Sequence, residues 1–282
     1  MSYDPVQEKY YNVRAAIPDH MDVFVKWREA SDAYKAACPG ARLDLAYGDG
    51  ISEKLDFFPA KNNIAPAPLV MLIHGGYWQA MDKADNAFGA RALNDAGVGV
   101  AVVNYALCPN VTLGDITQQM CQTAVWLWRN ANALGADPDR LFAFGHSAGG
   151  HLAAMMMRAD WAAIDPNIPA DLFKGGLAIS GLFDLTQLVE TSINDKVGLS
   201  WENAKLLSPV NHAPASGHAF VAAVGGDESV GFHDQAESLR QAWAPHGVDV
   251  EPMAIPGCNH LQAFEALADP NTDICKKALS MI

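Results

Sequence analysis

The sequence predicts an α/β fold, a single domain over residues 1–282 with a mainly parallel central sheet of about eight strands flanked by helices. Two observations carry this expectation. Short β-rich apolar runs alternate with longer helical patterns along the whole chain, with no repeat, low-complexity tract or interdomain linker between them. Half the residues are hydrophobic and 18% are charged, which supplies enough apolar material for a sheet buried on both faces.

The strand runs begin at residues 43 (LDLAY), 54 (KLDFFPA), 69 (LVMLIHGG), 98 (VGVAVVNYAL), 141 (LFAFGHS), 175 (GGLAISGLF), 218 (HAFVAAVGG) and 248 (VDVEPMAIPG). Helices are expected at roughly 83–96, 113–134, 148–158, 232–244 and 261–268. In 113–134, Ile116, Met120, Ala124, Val125 and Leu127 recur at helical spacing, and Gly135 with Pro138 gives a stop signal. The Pro- and Asn-rich stretch 61–68 reads as a loop between strands. Residues 1–40 read as a helical extension ahead of the sheet, which could cover a site as a lid or pack on the sheet edge.

Composition narrows the partners. Acidic residues exceed basic ones by 32 to 19, a formal charge of −13 that disfavours nucleic acid and anionic membrane surfaces. No apolar run approaches the roughly 20 residues that span a bilayer, and residues 1–14 lack a signal-peptide pattern, so a cytoplasmic location is expected. The five cysteines have no C-x-x-C spacing and an odd count, which reads as reduced, mostly structural thiols. The partner expected is a small-molecule substrate, a homodimer staying open.

The chemistry concentrates at Gly145-His146-Ser147-Ala148-Gly149. A bare G-x-S-x-G arises by composition in roughly one chain in ten of this length. Here a strand precedes it and a helix follows, which is the setting of the nucleophile elbow in the α/β-hydrolase fold, so Ser147 is the expected nucleophile. Two strand runs earlier, LVMLIHGGYW ends in His74-Gly75-Gly76-Tyr77-Trp78. Glycines there can turn N–H groups towards a developing oxyanion, giving Gly75, Gly76 and Ala148 as the expected oxyanion hole, with His74 holding the loop.

The base and its orienting acid follow the serine in this fold. Asp227 ends the strand HAFVAAVGG and lies 80 residues after Ser147; His260 follows 33 residues later in the loop after the last strand run. Both fall at carboxyl ends of strands, so Asp227 and His260 complete the expected triad. Glu228 is set aside because it points the other way if the strand continues, and Asp184, after the preceding strand, is the remaining rival. Cys258, two residues before His260, is expected to pack. No His and carboxylate cluster has metal-ligand spacing, and neither a metal nor another cofactor is expected.

With these residues in hand, the chain resembles the kynurenine formamidase (arylformamidase) branch of the α/β hydrolases, related to the hormone-sensitive-lipase-like esterases. The resemblance rests on YNVRAAIPD near the start, LDFFPA, HGGYWQ, GHSAGGHLA and the stretch SGLFDLTQLVETSINDKVGLSWENAKLLSP at 180–209. It departs where Leu261-Gln262 replace an aromatic and acidic pair and where GHSAGG carries a second glycine. The resemblance implies removal of the formyl group from an aryl formamide such as N-formyl-kynurenine, with Tyr77 and Trp78 walling the aromatic part. A short-chain carboxylesterase with the same triad is the alternative, and a non-catalytic ligand-binding protein on this fold is a third.

Overall fold

The computed structural model describes residues 3–61 and 66–282. Residues 62–65 of the expected 61–68 loop lie outside that range. Eight strands form one sheet: β1 Arg42–Ala46, β2 Lys54–Phe58, β3 Ala67–Ile73, β4 Gly99–Val103, β5 Ala136–His146, β6 Phe173–Ile179, β7 Phe220–Gly225 and β8 Val250–Ile255. Their spatial order is β1-β2-β4-β3-β5-β6-β7-β8. β1, β2 and β4 pair antiparallel, and β4 through β8 run parallel. Each of the eight expected runs is a strand.

Pleating splits the core in two, because alternate residues of a strand face opposite sides. On β3, Leu69, Met71 and Ile73 enter one apolar cluster while Val70 and Leu72 enter the other. The first cluster lies under the helices Leu113–Asn130, Ala148–Arg158 and Val230–Trp243. The second lies under α3 (His20–Ala37), the turns over 83–95, and the helices His260–Glu265 and Asp273–Ser280. β3 is buried at all seven positions, which is why its sequence reads as a continuous apolar run.

Local signals account for the helix limits. Thr112 and Asp115 make a reciprocal capping box at the start of Leu113–Asn130, and Gly135 adopts φ 73° beyond its end, the left-handed conformation that favours glycine. The expected helix over 83–96 is broken into Lys83–Asn86, a 3₁₀ turn at Ala87–Ala90, and Arg91–Asp95. The break brings Gly89 against the Phe264 ring, at a point where a Cβ would stand 2.6 Å from it.

The first 40 residues form α1 (Pro5–Tyr11), α2 (Val13–Ala16) and α3. α3 inserts Trp27 among Phe88, His146 and Phe264, and its indole Nε1 donates to Glu265 at 2.8 Å. α1 is tied to the 180–209 stretch instead. The Asp4 N–H donates to Glu190 O at 2.8 Å, and Glu8 accepts from the Ser192 N–H at 2.8 Å and its hydroxyl at 2.7 Å. α3 packs on the turns over 83–90 and feeds Trp27 and Tyr34 into the second cluster, whereas α1 and α2 lie over the ends of the strands, as the cavity below shows.

Candidate active site

Ser147 joins β5 to the helix Ala148–Arg158 with φ 55° and ψ −118°, a backbone conformation that costs about 1–3 kcal/mol unless its surroundings impose it. The surroundings do so through two glycines. A Cβ on Gly145 would stand 2.1 Å from Gly149 O, and one on Gly149 would stand 2.0 Å from Ile73 O. Strand, turn and helix therefore approach more closely than any side chain permits, and the turn presents Ser147 above the strand ends. The Ser147 N–H is fixed to Ile179 O at 2.7 Å. Its hydroxyl makes no hydrogen bond with any described residue, an arrangement common before substrate binds.

His260 begins the helix His260–Glu265, where Asn259 caps the first turn and the Gln262 side chain returns to the Asn259 N–H at 3.0 Å. Its ring lies between His146 and Phe232, at centroid distances of 4.8 and 4.7 Å. His146, the variable residue of the elbow, supports this turn through a 2.9 Å bond from its Nε2 to His260 O. Burial, then the neighbouring His260, holds the His146 imidazole well below its ordinary range, so it stays neutral and donates from Nε2.

The acid at His260 differs from the one expected. His260 Nδ1 lies 2.6 Å from a carboxylate oxygen of Glu228, whose side chain is 2% exposed. The same carboxylate accepts the Gly225 N–H at 2.7 Å and the Ser180 hydroxyl. Asp227 is exposed, and its side chain forms no hydrogen bond among the described residues. The expectation assumed that β7 runs on past Gly225. Instead the chain turns there: the Gly226 N–H goes to Ile255 O, the Asp227 N–H to Cys258 O, and the Glu228 N–H back to Gly225 O. Alternation does put Asp227 and Glu228 on opposite sides, but after the turn the inner side belongs to Glu228. Asp184 caps a 3₁₀ turn through the Thr186 N–H at 3.0 Å and stands apart from His260. Cys258 is half-buried and its thiol is pushed up by burial, in keeping with packing.

Ser180, which sequence reasoning passed over, sits at the end of β6 with φ 54° and its N–H bonded to Ala223 O at 2.7 Å. Its signal in the sequence was its place in the SGLFDL motif directly after a strand.

Across from the elbow, Gly75 packs against Ser147: a Cβ there would meet His146 O at 3.0 Å and Ser147 Cβ at 3.2 Å. Gly76 has φ 102°, and a Cβ on it would stand 2.1 Å from Ala80 O, so the turn requires glycine twice over. The N–H of Gly75, Gly76 and Ala148 has no acceptor among the described residues. His74 holds this loop as expected: it stacks on Tyr105 at 4.2 Å, and its ring nitrogens face Gly75 O at 2.8 Å and Asn104 Oδ1 at 3.2 Å. Tyr105 donates its hydroxyl to His74 O at 2.8 Å.

Tyr77 and Trp78 part company. Tyr77 lines the cavity at Ser147 and donates its hydroxyl to Tyr11 O on α1. Trp78 is fully buried, packs edge-on against His151 at 5.1 Å, and does not reach the cavity. Both have positive φ, so the chain reverses between them and drives the indole into the core.

A cavity of about 40 Å³ meets Ser147 and His260. It is walled by Gly76, Tyr77, Met81 and Leu261 from the domain body and by Val13, Arg14 and Phe24 from the first 40 residues. A neighbouring cavity of about 90 Å³ shares Val13 and His260 and includes Lys9, Asp227 and Glu228. Among the described residues, no helix is long and apolar enough to cross a membrane.

Comparison with known proteins agrees with this architecture. The BD-FAE family model matches residues 55–242, two-thirds of the chain. A kynurenine formamidase of Danio rerio is 31% identical over 248 residues, covering 85% of this chain and 81% of its own, and one of Salmo salar is 30% identical with the same coverage. A solved structure described as a putative thioesterase from Silicibacter superposes with a TM-score of 0.83 at 32% identity, covering 95% of this chain and 97% of that one. The chain is an α/β hydrolase, an enzyme acting on formamides or esters, and it belongs to the BD-FAE family alongside the kynurenine formamidases.

Proposed function

We propose that the protein hydrolyses the formamide bond of N-formyl-kynurenine or a similar aryl formamide, releasing formate and the free arylamine, with Ser147, His260 and Glu228 as its triad. Ser147 Oγ attacks the formyl carbon while His260 Nε2 takes its proton. Glu228, bonded at Nδ1, fixes the imidazole tautomer and stabilises the imidazolium. The N–H groups of Gly75, Gly76 and Ala148, free of other acceptors, receive the negative charge that develops on the formyl oxygen. The C–N bond then breaks, the arylamine leaves with the proton held by His260, and water repeats the sequence on the formyl ester to release formate.

The observation that supports the choice of acyl group is the small space at Ser147, about 40 Å³ in all between Gly76, Tyr77, Met81 and Leu261 and the roof residues Val13, Arg14 and Phe24. A formyl group places only hydrogen beyond the carbonyl carbon, so it fits where each added methylene meets a wall. Overpacking such a pocket costs typically about 1–3 kcal/mol, or roughly 5- to 150-fold in rate. In an open esterase pocket an added CH₂ instead gains up to about 0.8 kcal/mol.

The test is kcat/KM on N-formyl-kynurenine and on p-nitrophenyl acetate, propionate and butyrate with one preparation. A steep fall from acetate to butyrate is expected, with the formamide better than any ester. A flat or rising chain-length profile without deformylation assigns the protein instead to the short-chain carboxylesterases.

A further inference from the structure

One cation at the cavity has no part in the steps above. Arg14, on α2, lines the Ser147 cavity together with Val13, Gly76, Tyr77 and His260. It is exposed and forms no hydrogen bond or ion pair among the described residues, whereas Arg28, Arg129 and Arg240 each bridge a carboxylate, those of Asp85, Asp165 and Glu237. Two acids also act on the cavity wall at Tyr77, Glu8 and Glu228, and each has hydrogen-bond partners of its own. Glu8 accepts from Ser192 and from Asn12, and Glu228 is held by His260, Gly225 and Ser180. The guanidinium is charged at every working pH and offers five N–H donors in a plane that matches a carboxylate. Its charge reaches the cavity wall: burial pushes the Tyr77 phenol well up, Tyr11, Glu228 and Glu8 add to the rise, and Arg14 acts in the opposite direction.

This placement runs against the charge of the molecule as a whole, which is −13. The adjoining cavity also holds a cation, Lys9, but there it shares the space with Asp227 and Glu228. Among the described residues, no carboxylate lines the Ser147 cavity that Arg14 joins.

We propose that Arg14 recognises a carboxylate on the leaving-group side of the substrate, making the enzyme selective for acyl compounds whose arylamine or phenol carries a negative charge. The inference rests on Ser147 being the nucleophile, as proposed above. With the acyl carbon at Ser147, a leaving group that extends towards Val13 and Arg14 of α2 meets the Arg14 side chain. An anion there exchanges part of its hydration for a paired, charge-assisted bond.

The experiment compares kcat/KM for p-nitrophenyl acetate and for 3-carboxy-4-nitrophenyl acetate, which differ by one carboxylate on the leaving group. The native enzyme is expected to favour the carboxylated ester, with a preference that shrinks as salt is raised. In Arg14→Gln the ratio of the two values should fall about tenfold, Arg14→Lys should restore part of it, and Arg14→Glu should carry it below the Gln value. Since Arg14 makes no hydrogen bond or ion pair among the described residues, all three variants are expected to fold. A ratio that stays within about twofold of native in both Arg14→Gln and Arg14→Glu overturns the proposal. The ester pair requires no deformylation, so an enzyme that discriminates by charge yet leaves N-formyl-kynurenine intact refutes the formamidase reading while Arg14 keeps its role.

Discussion

Two turns two strands apart in the sheet carry the candidate catalytic groups and are held by different means. After β5, the elbow is fixed by backbone crowding: Gly145 and Gly149 leave no room for a Cβ, Gly75 packs tightly against the turn, and Ser147 takes a positive φ between them. After β7, crowding is confined to Gly225, where a Cβ would stand 2.4 Å from Cys258 O, and the turn at 225–228 is held besides by hydrogen bonds that converge on one carboxylate, from Gly225, Ser180 and His260. The first turn is set by its glycines and does not depend on charge. The second needs its glycine too, but depends in addition on the donors gathered by a single carboxylate. A nucleophile needs fixed position, and an orienting acid needs fixed charge, so each turn is built for what its residue supplies.

The largest expected effect separates the two acids of the second turn. Glu228→Gln should lower kcat on p-nitrophenyl acetate by up to about 10⁴-fold, because an amide there favours the wrong tautomer of His260 and cannot stabilise the imidazolium. Asp227→Asn, at an exposed position, should stay within about threefold of native activity. Loss of activity in Asp227→Asn with Glu228→Gln unimpaired would return the acid to Asp227 and undo the contrast drawn above.

Stability against pH probes the first turn. His151, one helical turn after Ser147, is fully buried, and burial depresses its pKa to about 4 from 6.5. In acid the unfolded chain protonates this histidine before the folded one does, so stability is complete above about pH 6.5 and drains away as pH falls towards 4. The full loss is roughly 3 kcal/mol, which for a domain of this size is a fall in Tm of about 6–12 °C. Thermal scans from pH 7 to 4 should show that part of the slope flattened in His151→Gln. An unchanged slope would place the acid sensitivity elsewhere.

The smallest effect belongs to Ser180→Ala, which removes one of three donors to Glu228 and leaves the other two. A net contribution of about 1 kcal/mol corresponds to roughly a fivefold fall in kcat. A Ser180→Ala enzyme with native kcat would confine Ser180 to shaping the end of β6.

The same contrast explains what could be read from the amino-acid order. The strands were legible because each is an apolar run bounded by turn residues, and the elbow because crowding leaves a glycine signature at fixed spacing around Ser147. His260 and the glycines at 75 and 76 were legible from their place after strands. The choice between Asp227 and Glu228 was not, since adjacent acids carry the same chemistry and the bonds that select one come from Ser180, 48 residues away, and from the turn geometry of 225–228. Trp78 escaped for a similar reason. Its aromatic character suggested a substrate wall, but the positive φ at Tyr77 and Trp78 that sends the indole inward is not encoded by residue types that signal it.

The anchoring of α1 on the 180–209 stretch also bears on when the site comes into being. Glu8 finds Ser192 across 184 residues, and Asp4 finds Glu190 across a similar span. On the ribosome, at about 5–20 residues per second, α1 is made on the order of ten seconds before its partners. During that interval the segment that will roof Ser147 lacks its anchors at Glu190 and Ser192, and the strand that carries the nucleophile emerges before the surface that holds the roof. The residues synthesised early are thus anchored late, and a nascent chain stalled short of residue 190 has its elbow but not the fastening of its roof.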